Sequence, residues 1–176
     1  MRKALINIAL FQVGWLVCVL GGNLYAVIFT LGALLLHQWL VLDDVREWKL
    51  IGLVVVCGCL WDAALTQAGV ITYADALPGG IPLWLVCLWL LFATTFMHAL
   101  FWMRNFLWLA VPLAAVFGPA SYWVGASLSD AALSEPVLIP LAIMAAGWAL
   151  LFPLGIYFAG KLKTPTTGLE DGHAVQ

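Results

Sequence analysis

Charge is what this chain has least of. Of its 176 residues, 9% are Asp, Glu, Lys or Arg and 65% are hydrophobic, with a mean hydropathy of +1.06. Soluble domains carry about 25% charge, and a folded chain of this size must turn much of its surface to water. A water-soluble domain is therefore excluded. The net charge of −2 is too small, and its charges too scattered, for a nucleic-acid partner. Catalytic signatures are also missing. There is no His-Glu-x-x-His, no Gly-x-Ser-x-Gly, no phosphate loop and no pair of carboxylates inside one apolar stretch. Those absences weigh against an enzyme without deciding the matter.

Cysteine is scarce, and Cys18, Cys57, Cys59 and Cys87 all lie within apolar stretches, where a thiol serves as a small core residue. Cys57 and Cys59 are two positions apart, which on a helix points them to nearly opposite faces, so they cannot share an ion. No metal site and no cofactor is expected.

What the chain has instead is long apolar runs. Six of them, over 4–20, 24–42, 50–69, 81–102, 106–127 and 137–160, are each roughly 17–24 residues long. At 1.5 Å per residue that is enough for a hydrocarbon core of ~30 Å. The reading is an all-α, polytopic bundle of six transmembrane helices over residues 1–163, followed by a polar, disordered cytoplasmic tail at 164–176. Its breaks have local causes: Gly21-Gly22-Asn23 makes a tight hairpin, and Pro78-Gly79-Gly80 a turn cluster.

The basic residues sort themselves. Arg2 and Lys3, Arg46 and Lys49, Arg104, and Lys161 and Lys163 fall at the start, at every second connection and at the end; the remaining connections carry Asp75, Asp130 and Glu135 and no cation. The positive-inside rule then places both termini in the cytoplasm.

Asp62 is the one carboxylate deep in a span, and it should face the bundle interior with a partner, because a charge there costs ~2.5–3.5 kcal/mol on insertion scales. Thr66, Asn23, Gln12 and Tyr122 are the partners considered. A stripe of Gly52, Val55, Cys59, Asp62, Thr66 and Gly69 should pack against a neighbouring helix, with Trp61 beside it. His37 and His98 fall at similar depth near the inner ends of their helices, His98 on a stripe with Asn105. Two histidines are too few for zinc unless Asp43, Asp44 or Glu47 adds a ligand, so cross-helix hydrogen bonding is the reading. Asp62 belongs at the opposite end. Ten tryptophans exceed what the interfaces need, and some of them could line a lipid-sized groove.

The six short spans, the Gly-Gly-Asn hairpin, Trp61-Asp62, and the run from His98 through Arg104-Asn105 together resemble an uncharacterised bacterial inner-membrane family known as a domain of unknown function. The resemblance covers residues 3–162. Members are often encoded near cyclopropane-fatty-acid-synthase-like and other lipid-modifying enzymes, which implies a multi-pass inner-membrane protein whose partners are membrane lipids and such enzymes. It supplies no catalytic residue.

Three functions stay open. The first is a non-catalytic accessory in lipid modification or envelope homeostasis. The second is a small carrier of a lipid or weak acid, titrating at Asp62 and requiring a homodimer. The third is an intramembrane enzyme acting on lipid.

Overall fold

The computed structural model describes residues 2–163; the tail expected to be disordered lies outside the described residues. In chain order the elements are α1 (Arg2–Leu40), α2 (Glu47–Gln67), β1 (Ile71–Tyr73), α3 (Leu83–Ala93), a 3-10 turn (Phe101–Asn105), α4 (Leu107–Leu128), β2 (Ala131–Leu133) and α5 (Leu138–Lys163). Among the described residues, α1, α2, α4 and α5 are long and apolar enough to cross a membrane, and α3 is a shorter apolar helix.

The first two predicted helices form a single element that doubles back. A straight helix of 39 residues would run about 58 Å, yet the Lys3 ammonium pairs with the Asp43 carboxylate just beyond its far end. The fold occurs at Gly22, where φ is 67° and ψ −169°, a conformation glycine adopts without the clash a Cβ would bring. The two limbs then lie close: a side chain at Gly14 would sit 2.8 Å from the Phe29 ring.

The predicted helix over 81–102 is corrected by the structure. It stops at Ala93 because the Thr94 and Thr95 hydroxyls turn back onto the carbonyls of Leu91 and Phe92, at 2.7 and 2.6 Å, competing with helical continuation. Turns then lead into the 3-10 segment. The freed carbonyls find partners from other elements, as buried backbone must. Asn7 Nδ2 donates to the Thr94 carbonyl at 3.2 Å, and Lys163 Nζ to that of Met97 at 3.0 Å.

A second departure from an all-helical reading is small. β1 and β2 pair antiparallel, with Ile71 opposite Leu133 and Tyr73 opposite Ala131. This clips together the segments after α2 and α4, whose runs are too short to announce themselves as strands. The buried core lies among α2, α3 with the turns after it, α4 and α5, and includes Leu50, Ile51, Phe96, Ala110, Met144 and Ile156. Outward, the bundle presents exposed Leu24, Leu31, Leu35, Val116, Phe117 and Leu150, an apolar surface that suits lipid.

Candidate functional site

Among the described residues two carboxylates are buried, toward opposite ends of α2. Its inward face runs through Glu47, Leu50, Ile51, Val54, Gly58, Asp62 and Leu65. This corrects the predicted stripe: Asp62 lies on the packed face, but Gly52 and Gly69 are exposed and the glycine in contact is Gly58. A Cβ at Gly58 would collide with the indole of Trp89 on α3.

One turn further along, Asp62 is fully buried. Trp89 Nε1 donates to its Oδ2 at 2.6 Å, and the Tyr122 hydroxyl on α4 donates to Oδ1 at 2.6 Å. Both oxygens are thus held by donors from two other helices, as a polar group this deep requires. Of the partners considered from sequence, Tyr122 is one that Asp62 meets. Thr66 instead donates to the Asp62 backbone carbonyl at 3.0 Å. Asn23 accepts from the Trp84 N–H at 2.9 Å and so caps the start of α3 from across the bundle. Trp61 packs over Gly147 of α5, and its buried Nε1 has no hydrogen-bond partner among the described residues. Trp89 was missed because it lies 27 residues from Asp62 on another helix.

Trp89 and Tyr122 have a second role. With Trp15, Trp84, Trp102 and Trp148 they line an apolar cavity of about 670 Å³ between α1, α3, α4 and α5. Asp62 itself is not in the lining; it braces two of the aromatic wall residues from behind. At one end the cavity shares Val19, Tyr73, Trp84 and Ala131 with a polar recess of about 460 Å³ that holds Asp75, Ser129 and Asp130.

At the other end of α2, about 22 Å from Asp62, Glu47 is 1% exposed. His37 Nε2, from the last turn of α1, lies 3.0 Å from Glu47 Oε1. His98 Nε2, from the turns after α3, lies 2.9 Å from Oε2. The imidazoles stand edge to face with centroids 5.4 Å apart. Glu47 is the hub that joins them, whereas Asn105 is exposed at the end of the 3-10 turn. Nearby in the connecting loop, Asp43 is held below the usual carboxylate range, chiefly by its hydrogen bond from Lys3.

Both buried carboxylates, both histidines and the aromatic cavity fall within residues 4–154, which match one family model. The chain belongs to the DUF2878 family of proteins of unknown function. No curated protein and no solved structure matches it. The DUF2878 match ends inside α5, before the last turn that carries Lys161 and Lys163.

Proposed function

We propose that this DUF2878 protein is a non-catalytic accessory of membrane lipid modification, which seats a lipid chain in its aromatic cavity and presents it to lipid-modifying enzymes. The cavity carries the reading. A volume of about 670 Å³ falls in the range of small-molecule sites, which are mostly apolar with a few placed polar groups. Its walls take in five of the ten tryptophans. The adjoining recess, with Asp75 and Asp130 and no cation in its lining, suits a neutral or cationic headgroup better than an anionic one.

The membrane setting belongs to the same proposal. We read six crossings of a bacterial inner membrane with both termini inside, α1 providing two and α3 with its following turns a third. In support, Lys3, Arg46, Arg104 and Lys163 gather at the Glu47 end, through the contacts of Lys3 with Asp43 and of Arg104 and Lys163 with the Phe101 ring. Asp75 and Asp130 share the recess at the other end. The carrier reading has less support, because both Asp62 oxygens are occupied and neither faces the cavity.

The test is lipid mass spectrometry of the purified protein in native-membrane nanodiscs. A retained lipid should be enriched over the surrounding membrane and depleted in Ala120→Phe, which fills the cavity wall. Equal lipid content in both proteins and in an unrelated membrane protein would remove the basis for the proposal. Lipid profiling of a deletion strain and co-purification of an enzyme then test the presentation role.

A further inference from the structure

We infer that His37, Glu47 and His98 form a binding site for a divalent first-row transition ion of the zinc class. This is independent of the cavity and about 22 Å from Asp62.

The geometry is close to what one ion needs. One nitrogen from each histidine and one carboxylate oxygen all lie within 4.8 Å of one another. Ligands held tetrahedrally about 2.0–2.1 Å from a common ion are ~3.4 Å apart, so the widest pair must close by up to roughly 1.4 Å. The three residues come from the end of α1, the start of α2 and the turns after α3. A 10-residue and a 51-residue separation carry no sequence signature, which is why two histidines without a fixed third ligand gave no metal site from the sequence.

Charge points the same way. Glu47 is buried, and its ion-pair partners among the described residues are the two imidazoles. A buried carboxylate in a low-dielectric setting is costly without a counter-charge. The nearby cations are committed elsewhere: Lys3 to Asp43, and Lys163 to the Met97 carbonyl.

His37 is used one-sidedly. Its Nε2 faces Glu47, while its buried Nδ1 has no hydrogen-bond partner among the described residues. The Trp48 ring stands edge to face against it, with centroids 6.1 Å apart.

The donor set selects the ion. Two imidazoles and one carboxylate, with no thiolate, favour zinc and its neighbours over copper(I), and over magnesium or calcium, which prefer all-oxygen sets. Three protein ligands leave a position open for water or another ligand.

The experiment uses the full, untagged chain in detergent, stripped with chelator and titrated with Zn²⁺ or Co²⁺. Wild type should take up one ion per chain by elemental analysis, and Co²⁺ should give the visible absorption of nitrogen–oxygen coordination. His37→Ala and His98→Ala should each weaken binding by more than the roughly 10–100-fold that losing a partner behind a ligand costs. Glu47→Gln should weaken it as well. If a variant does not fold, the stripped wild type still decides, since its melting temperature should rise with added Zn²⁺. Absence of stoichiometric uptake by wild type, or equal uptake by a folded His37→Ala/His98→Ala double variant, would overturn the inference.

Discussion

Trp89 lies flat across Gly58, and the same indole donates its N–H to Asp62 one turn further along α2. A missing side chain and a buried acid are therefore two parts of one contact. Without a Cβ at position 58 the ring comes close enough for its nitrogen to reach the carboxylate. It also stacks on Trp148 of α5, with centroids 5.6 Å apart and planes 12° from parallel.

Gly58→Ala should accordingly destabilise the protein by about 1–3 kcal/mol, the usual range for overpacking. It should also break the Asp62 hydrogen bond. The indole N–H resonance of Trp89 would move upfield in the variant, while stability is followed by thermal unfolding in detergent.

Substitutions at Asp62 should separate hydrogen bonding from charge. In Asp62→Asn the carboxamide can still accept from Trp89 and can donate to the Tyr122 oxygen, so this change should cost about 1 kcal/mol. Asp62→Leu strands a buried indole N–H and a buried hydroxyl, each worth about 1–3 kcal/mol when unsatisfied. Thermal unfolding of both variants in detergent measures the difference. Abolition of pH-dependent transport in a stable Asp62→Asn protein would instead revive a titrating role.

The Lys3–Asp43 pair should respond to acid. The Lys3 hydrogen bond lowers the Asp43 pKa below its unfolded value, so its stabilisation is fully present above the unfolded carboxylate pKa of about 3.9. It is lost as pH falls through the lower folded value. In Lys3→Met, the carboxyl titration followed by NMR should move up toward about 3.9. Because both side chains are 46% exposed, added salt should reduce the difference.

Topology is open to labelling. Cysteines placed at Asp75 and Asp130 should react with an impermeant maleimide on intact cells, and one at Asp44 only after permeabilisation. Labelling of Asp44→Cys from outside would reverse the proposed orientation.

Much of the helical layout is legible in the chain because hydrocarbon length and backbone satisfaction leave few alternatives to an apolar helix. Gly22 at the first fold and the buried run of Ala26, Thr30, Ala33 and His37 follow from residue type and spacing. The end of α3 does not, since Thr94 and Thr95 are compatible with a helix until Asn7 and Lys163 arrive from elsewhere to take the freed carbonyls. Nor does the face of α2: Gly52 and Gly58 look equivalent in sequence, and the large ring that chooses between them belongs to another helix.

By itself, then, the sequence determined an apolar, helical chain with its cations sorted to alternate connections and one acid stranded far from them. Those properties depend on composition and on separations along a single strand. The tertiary structure decided that Trp89 and Tyr122 hold Asp62, that Glu47 joins His37 to His98, and that the surplus tryptophans enclose a cavity. Such pairings are made across helices, where distance in space has no fixed relation to distance along the chain.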